Sequence, residues 1–195
     1  MKRMFDLIFS FVGLILLSPF FIIIALFIVI DSRGGVFYKQ LRVGQGGSDF
    51  KLFKFRSMAT NADKGSLLTV GGRDTRITRV GYFIRKYKID ELPQLINVLI
   101  GDMSLVGPRP EVRRYVDMYN EEQRKVLTVK PGITDYASIE YSNENELLGK
   151  AENPEQTYIN EIMPAKLNLN LKYIAEQGMK TDVKIIFKTI KKIVG

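Results

Sequence analysis

The chain contains no cysteine and no histidine among its 195 residues. These absences exclude a thiolate nucleophile, a zinc site of the ordinary His/Cys type and a Ser-His-Asp triad. Any catalysis must therefore use carboxylates, lysine, arginine, tyrosine or hydroxyl groups. A bound metal should be a hard cation held by oxygen atoms, such as Mg²⁺. The lack of cysteine also agrees with a reducing cytoplasm.

Acidic residues are in the minority: the chain has 29 lysines and arginines but 21 aspartates and glutamates. Its net charge at pH 7 is therefore +8. Such a charge suits an anionic lipid surface, a phosphorylated substrate or nucleic acid, and does not choose among them. Patterns of basic and aromatic residues that would stack bases are absent. Together with the apolar segment described next, this argues against nucleic acid as a partner.

Charged residues are also missing from one long segment, Leu7 to Ile30, which has 24 residues, mostly Leu, Ile, Phe and Val. As a helix it would measure roughly 36 Å, enough to cross a hydrocarbon core of ~30 Å. It exceeds the ~7 to 15 apolar residues of a signal peptide, and no small-x-small cleavage site follows it. The segment should therefore remain in the protein as a membrane helix.

Ser18 and Pro19 stand at the midpoint of this segment. Proline should kink the helix, and the Ser18 hydroxyl can bond a carbonyl that loses its donor. Basic residues flank both ends: Lys2 and Arg3 before the segment, and Arg33, Lys39 and Arg42 after it. The positive-inside rule then favours the cytoplasm for both ends, which a re-entrant helix satisfies. A kinked helix that crosses the bilayer remains the alternative, because such helices tolerate proline.

Residues 32–195 are enough for one compact domain, and no linker or internal repeat divides them. Two runs of aromatic and aliphatic residues lie on either side of "GQGG" and predict a β-hairpin. The glycines would form its turn, and binding of a phosphate by these glycines is the alternative. Residues 61–75 are polar and predict a loop. Helical spacing predicts two short helices that meet at Asp90 and Glu91, with Asp90 as the N-cap of the second.

A further helix is predicted over Glu111 to Val129, and residues 136–154 are polar and predicted to be irregular. Residues 181–195 predict a basic amphipathic helix, whose apolar face packs on the domain core or on a membrane interface. The predicted fold class is therefore α+β and predominantly helical. It combines a membrane helix over residues 1–31, a small hairpin and amphipathic interfacial helices.

The adjacent carboxylates Asp90 and Glu91 are the main candidates for catalysis and for holding Mg²⁺. Arg85 lies about one helical turn upstream, and Arg109 stands between two prolines in "GPRP". Phosphoryl transfer needs such a set, because one anion attacks while cations screen its repulsion from an anionic substrate. We expect these cations and a helix N-terminus to lower the pKa of the attacking carboxylate. Helix capping and structural salt bridges are the competing interpretation.

Five blocks then become recognisable: "KRMFDLIFS" with "GLILLSPF", "KFRSM", "DTRITRVGYFIRK", "DELPQLINVLIGDMSLVGPRP" and "KPGITDYAS". In this order they resemble the bacterial sugar transferase family, the small monotopic phosphoglycosyl transferases, over nearly the whole chain. The resemblance implies transfer of a sugar phosphate from a UDP-sugar to a polyprenyl phosphate such as undecaprenyl phosphate, with release of UMP. It implies a first step of polysaccharide or glycoconjugate synthesis on the cytoplasmic face of the bacterial inner membrane. It also implies a re-entrant helix that breaks at Ser18 and Pro19.

By the same resemblance, Asp90 attacks the sugar-bearing phosphorus and forms an aspartyl-phosphosugar that the polyprenyl phosphate then attacks. Glu91 would orient Asp90 or help to bind Mg²⁺. Arg85 and Arg109 match positions expected to contact phosphate, and Arg56 in "KFRSM" is a further candidate for substrate binding.

The chain departs from the family pattern at two places. Asp135 to Ser138 replaces the frequent Gly-Trp-Ala-Gln, so contacts of that block are not carried over, and Asn170 stands where many relatives have an acid that could pair with Arg3. Because the apolar segment comes almost first, we expect a minimal catalytic form. The sequence leaves open the sugar, the pathway and whether the protein is a monomer or a homodimer. A membrane-anchored scaffold without catalysis is the alternative function.

Overall fold

The computed structural model describes residues 1–60, 62 and 74–194, so most of the predicted loop at 61–75 lies outside the described residues. Helices dominate. They are α1 (Lys2–Asp31), α2 (Arg79–Lys86), α3 (Gln94–Ile100), α4 (Arg113–Val116), α5 (Glu121–Arg124), α6 (Tyr136–Glu140), α7 (Glu144–Lys150), α8 (Pro154–Thr157), α9 (Met163–Ala175) and α10 (Met179–Val194). The strands are β1 (Phe37–Val43), β2 (Asp49–Phe55), β3 (Ser104–Val106) and β4 (Gly132–Thr134). The α+β, predominantly helical fold is thus confirmed.

Strands β1 and β2 form the predicted antiparallel hairpin, with Phe37 opposite Phe55 and Val43 opposite Asp49. The turn between them contains Gly46 with φ +68° and Gly47 with φ +78°. Side chains other than glycine rarely adopt such angles. Turn formation therefore explains the glycines of "GQGG".

The buried amide of Asn97 joins α3 to the free edge of β2. Its Oδ1 accepts from the Phe53 N–H at 2.9 Å, and its Nδ2 donates to the Lys51 carbonyl at 2.8 Å. One side chain thus satisfies two backbone groups, much as a neighbouring strand would. This contact fixes the end of β2 beside the turn that precedes α3.

Helix α1 lies along the domain and buries a narrow stripe of its surface. Asp6, Ser10, Ile24 and Ile28 are buried, at the spacing of one helix face. Its other faces expose large apolar side chains, which include Ile8, Phe11, Val12, Ile15, Leu16, Ile22, Ile23 and Leu26. By length and composition α1 could cross a membrane.

Both ends of α1 are bonded to the same domain. Near its start, Lys2 donates to the Val106 carbonyl at 3.0 Å and forms a close ion pair with Asp182 in α10. At its end, Asp31 Oδ2 accepts from the Val80 N–H of α2 at 2.9 Å. The two ends of a straight transmembrane helix would lie on opposite sides of the bilayer. Here they are held on one body.

The helix continues through Ser18 and Pro19 and is not interrupted there. The Ser18 hydroxyl donates to the Ile15 carbonyl at 2.8 Å. That carbonyl lies four residues before Pro19, so it is the one that proline deprives of a backbone donor. The predicted compensation by Ser18 is confirmed. The predicted break at Ser18 and Pro19 is wrong, because α1 runs uninterrupted from Lys2 to Asp31 and loses only one backbone hydrogen bond at the proline.

The prediction of one helix from Glu111 to Val129 is wrong. The segment forms α4, α5 and a 3₁₀ turn at Lys125–Thr128. Asn120 starts α5 through a capping box with Gln123, so the chain begins a new helix instead of continuing the old one. The prediction of irregular structure over 136–154 is also wrong, because that region contains α6 and α7, and Asp135 caps α6.

Helix α10 confirms the predicted C-terminal helix, but its apolar residues are divided between two environments. Ile185 is fully buried against Val106 and Tyr173. Phe187 and Ile190 are 69% and 53% exposed. The helix therefore packs on the core through a residue that the amphipathic pattern did not name, and leaves much of the predicted stripe uncovered.

Candidate active site

Asp90 and Glu91 lie in a 3₁₀ turn, Ile89–Glu91, between α2 and α3. The preceding Lys88 has φ +56°, and it is the one residue other than glycine with positive φ in the part of the chain that the structure describes. Such a conformation costs about 1 to 2 kcal/mol. Helix α3 begins after Pro93 without a side-chain cap. The prediction that Asp90 caps α3 is therefore wrong, because the 3₁₀ turn separates this carboxylate from the helix.

The Glu91 carboxylate is held by two cations. Arg109 binds both of its oxygens, with Nη1 3.0 Å from Oε2 and Nη2 in a closer contact with Oε1. Lys54 Nζ lies 3.1 Å from the same Oε1. Such bidentate pairs fix both partners in orientation. Glu91 thereby fixes two positive side chains in the cleft that Asp90 also lines.

Lys54 is a site residue that the sequence reasoning missed. It lies on β2, two residues from the buried Leu52, and alternation places both side chains on one face of the strand. The position of Lys54 two residues after a buried leucine, on the same face of the strand, is the sequence signal that could have identified this residue. Burial lowers the pKa of Lys54, and its neighbour Glu91 opposes that shift.

The two carboxyl groups have opposite pKa shifts. Burial, reinforced by the negative charge of Glu91, raises the pKa of Asp90 above its usual value, although Lys54 and Arg85 act against the shift. Burial would also raise the pKa of Glu91, but the charges of Arg109 and Lys54 outweigh it and hold that pKa well below its usual range. The expected lowering for Asp90 is therefore wrong, because desolvation exceeds the effect of the nearby cations.

The fully buried Asp135 positions Arg109. One carboxylate oxygen accepts from the Arg109 N–H at 3.1 Å, and the other accepts from the Ser138 N–H at 2.6 Å. The same side chain thus begins α6 and restrains the backbone of the arginine that binds Glu91. The block that departs from the family pattern has a structural role beside the site.

The glycines of "GPRP" and "PGIT" allow two backbones to meet next to Arg109. The Gly107 N–H donates to the Thr134 carbonyl at 3.0 Å, and the Gly132 N–H donates to the Pro108 carbonyl at 2.9 Å. A Cβ added at Gly132 would lie 2.0 Å from the Gly107 nitrogen. Only glycine fits this approach.

The predicted catalytic residues share one open cleft of about 1460 Å³. Lys54, Arg85, Asp90, Glu91 and Arg109 line it. Arg85 lies in the last turn of α2, with Nη1 3.5 Å from the Ser57 hydroxyl. The structure thus brings all five residues proposed for catalysis and substrate contact to one cleft, since Arg56 also lines it, and adds Lys54.

Arg56 has a structural role that the sequence did not predict. Its buried guanidinium donates to the carbonyls of Gly35 at 2.6 Å, Arg33 at 2.7 Å, Ser32 at 2.8 Å and Ile28 at 3.5 Å. These carbonyls belong to the end of α1 and the residues that follow it. Arg56 therefore caps α1. It also lines the cleft, but each of its three guanidinium nitrogens already donates to a backbone carbonyl, so its observed role is structural and its predicted contact with substrate phosphate stays a prediction.

Replacing Arg56 by methionine should lower stability and leave substrate affinity unchanged. The loss of a buried charged donor from several carbonyls should cost about 3 kcal/mol, or roughly 6 to 12 °C in the unfolding midpoint. Thermal unfolding in detergent micelles measures this, with Arg33→Met, at an exposed side chain, as the control. An unfolding midpoint equal to that of Arg33→Met would contradict the capping role.

Comparison with known proteins identifies the family of this chain. The sequence model of the family described as bacterial sugar transferase matches residues 1–195. The chain belongs to the bacterial sugar transferase family. It is 39% identical over 195 residues, 98% of its length, to UDP-N-acetylgalactosamine-undecaprenyl-phosphate N-acetylgalactosaminephosphotransferase of Aeromonas hydrophila. It is 36% identical over 199 residues to UDP-glucose:undecaprenyl-phosphate glucose-1-phosphate transferase of Escherichia coli K12, again over 98% of its length.

This sugar transferase spans only part of these two relatives, because the matches cover 43% and 40% of their lengths. A third relative is close to it in size. The exopolysaccharide production protein PSS of Rhizobium leguminosarum is 36% identical over 197 residues, which are 97% of this chain and 93% of that protein.

Proposed function

We propose that this bacterial sugar transferase moves a sugar phosphate from a UDP-sugar to a polyprenyl phosphate, such as undecaprenyl phosphate, and releases UMP. The observation that carries the proposal is the buried Asp90 beside a Glu91 that holds Lys54 and Arg109 in place. A nucleophilic carboxylate surrounded by fixed cations suits attack on a diphosphate. The names of the two relatives with 39% and 36% identity point to the same class of reaction.

In the first step, a carboxylate oxygen of Asp90 attacks the sugar-bearing phosphorus. A bond forms between that oxygen and phosphorus, the bond from phosphorus to the bridging oxygen breaks, and the electron pair leaves with UMP. Arg109, Lys54 and Arg85 screen the repulsion between the two anions. Glu91 keeps the first two of these cations oriented and does not itself attack.

In the second step, a phosphate oxygen of the polyprenyl phosphate attacks the same phosphorus. The bond between Asp90 and phosphorus breaks, and the carboxylate is regenerated. The product is a polyprenyl-diphosphate-sugar. Two substrates that differ greatly in polarity thus use one carboxylate in turn.

The residues of the site fit Mg²⁺ through Asp90 more readily than through Glu91. Both Glu91 oxygens already accept from Arg109, and one also accepts from Lys54. The described residues contain no group of three acidic side chains that could hold a metal. Mg²⁺ is often bound by one or two carboxylates together with substrate phosphates. When bound, it would neutralise charge on the diphosphate.

We also propose that α1 is re-entrant, with residues 1–31 in the membrane and residues 32–195 forming a catalytic domain on the cytoplasmic face. The bonds from Lys2 and Asp31 to one domain support this topology. Because the chain has no cysteine, single cysteines at the exposed Met4 and Arg33 are clean reporters. A thiol reagent that cannot cross the membrane should reach both from the cytoplasmic side. Labelling from opposite sides would contradict the proposal.

The reaction is tested with purified protein, Mg²⁺, undecaprenyl phosphate and a panel of UDP-sugars. One or more sugars should support UMP release. With the acceptor omitted, sugar phosphate carrying a label should remain on the protein. No UMP from any sugar, with folded protein, would count against the reaction.

The rate of this labelling should depend on pH through Asp90. Only the ionised carboxylate attacks, so the rate should rise with pH and level off above the pKa of Asp90. Since burial raises that pKa, the midpoint should lie above the ordinary ~3.9 of aspartate. Single-turnover UMP release over a pH series measures it. A rate that stays constant down to about pH 4 would point to another nucleophile or a normally ionised Asp90.

A further inference from the structure

Three residues that line the active-site cleft carry a buried polar side-chain atom that has no hydrogen-bond partner within the described ranges 1–60, 62 and 74–194. These atoms are Arg42 Nε, Ser138 Oγ and Asn170 Oδ1. Buried polar atoms in proteins are nearly always hydrogen-bonded, because they have lost contact with bulk water. Each of the three is therefore available to a polar group that enters the cleft. We call Arg42, Ser138 and Asn170 the polar wall.

Asn170 is the most deeply buried member of the polar wall, with 5% of its surface exposed. It lies on α9 between Leu167 and Tyr173, which are buried three residues before and three residues after it. Apolar side chains usually occupy the buried face of a helix. Leucine would fill a similar volume without the cost of a buried acceptor that lacks a donor. The asparagine therefore has a role other than the packing of α9.

The polar wall adjoins Arg109, the arginine that binds Glu91. Asn170 and Arg109 both line one small cavity beside the cleft. Asp135 accepts from the backbone N–H groups of Arg109 and Ser138, which fixes the start of α6 relative to this arginine. Helices α6 and α9 pack against each other. Ser138 and Asn170 are thus neighbours of the cation that we place at the reacting phosphate.

The three atoms of the polar wall differ in the hydrogen bonds that they can make. Asn170 Oδ1 accepts, Arg42 Nε donates and Ser138 Oγ does both. An ionised phosphate does not supply the donor that Asn170 needs, and a hydrocarbon chain supplies neither donor nor acceptor. A sugar supplies hydroxyl groups that donate and accept, and an acetamido sugar adds an N–H and a carbonyl. The sugar is also the group attached directly to the phosphorus that Asp90 attacks.

We infer that Ser138 and Asn170 bind the sugar of the UDP-sugar, and that Asn170 selects this sugar by accepting a hydrogen bond from one of its hydroxyl or amide groups. Arg42 Nε donates to the same sugar. The inference rests on the proposed function and adds the residues that discriminate among donors. A sugar without the matching donor would leave the buried acceptor unpaired, and such a mismatch is costly. Ser138 belongs to the block that departs from the family pattern, so the selection is a property of this chain.

Two asparagines of α9 form a matched pair for the test. Asn170 is buried and lines the cleft, whereas Asn168 is exposed and does not line it. Asn170→Leu should lower kcat/KM for labelling by the preferred UDP-sugar about tenfold, as expected for one lost hydrogen bond. Asn168→Leu should change it less than about twofold. The unfolding midpoint of Asn170→Leu should equal or exceed that of the unmodified protein, because Asn170 Oδ1 makes no hydrogen bond among the described residues.

UDP separates the sugar from the rest of the donor, because it contains the uridine and both phosphates but no sugar. UDP should inhibit labelling equally well in Asn170→Leu and in the unmodified protein. If inhibition by UDP weakens as much as kcat/KM falls, the polar wall holds the nucleotide and the inference is overturned. A lowered unfolding midpoint with unchanged kcat/KM would show a structural role for Asn170 and would also overturn it.

A second pair of variants tests Ser138. Ser138→Ala should lower kcat/KM for labelling about three- to fivefold and leave inhibition by UDP unchanged. Ser48→Ala changes an exposed serine in the hairpin turn and should affect neither quantity. Equal values of kcat/KM for the two variants would contradict a role for Ser138.

Binding to Asp90→Asn protein tests the sugar site without catalysis. UDP should raise the unfolding midpoint, and so should the better bound of UDP-N-acetylgalactosamine and UDP-glucose. Adding Asn170→Leu should reduce the shift caused by the UDP-sugar and leave the shift caused by UDP unchanged. Equal loss of both shifts, or loss of neither, would overturn the inference. If the unmodified protein releases no UMP but binding follows the expected pattern, the proposed reaction fails and the sugar site stands.

Discussion

Replacing Asp90 by asparagine should abolish labelling by the UDP-sugar and reduce UMP release by about a thousandfold or more. Asparagine keeps the shape of the side chain but offers no anionic nucleophile. The fold should survive, because burial already disfavours the charge of Asp90, so a neutral group at this position relieves desolvation. The expected unfolding midpoint is therefore equal to that of the unmodified protein or slightly higher.

The matched control is Asp117→Asn, which changes an exposed aspartate in the same way. It should keep full labelling. Labelling that persists in Asp90→Asn would move the nucleophile to another residue. If neither the unmodified protein nor Asp90→Asn is labelled, and Asp90→Asn keeps its biological activity, the result would favour the scaffold alternative.

Replacing Gly132 by alanine should strongly lower the stability of the fold. The added Cβ would lie 2.0 Å from the Gly107 nitrogen and 2.6 Å from its Cα, and backbone atoms have no rotamer with which to move aside. Strands β3 and β4 would have to separate, with loss of the hydrogen bonds across this approach. We expect a cost of at least about 3 kcal/mol and a midpoint lowered by roughly 10 °C.

Gly178→Ala is the control, since the nearest atom to its added Cβ is 4.0 Å away. It should unfold within about 2 °C of the unmodified protein. Because Arg109 lies two residues after Gly107, folded Gly132→Ala protein should also transfer sugar phosphate slowly. Equal midpoints for the two variants would show that the backbones do not meet as closely as described.

Local signals in the sequence predicted much of the fold. The hairpin follows from "GQGG" between two apolar runs, and α10 follows from its amphipathic spacing. The division of residues 111–129 was missed because the capping box of Asn120 and Gln123 lies inside a pattern that otherwise favours one helix. In each case a few neighbouring residues decide the outcome.

The candidate site was predictable where its residues are close in sequence or restrained by proline, as for Arg85, Asp90 and Arg109. The register of Lys54 with Leu52 indicates that its side chain faces inward, but the position of β2 beside the turn is set by the packed domain and not by a local pattern. Arg56 could not be assigned from sequence, because an arginine that binds phosphate looks the same as one that binds carbonyls. The pKa of Asp90 depends on burial, which only the packed domain sets.

The way in which α1 is attached also means that the membrane helix is not a removable anchor. Ile24 and Ile28 form one buried cluster with Phe55 and Ile84, and Arg56 needs the last carbonyls of the helix. A version without α1 would expose that cluster and remove the Ile28 carbonyl from the acceptors of the Arg56 guanidinium. With α1 in the bilayer, as proposed, its insertion and the folding of the rest of the chain would be one coupled event, and we expect removal of the apolar segment to destabilise the remaining domain.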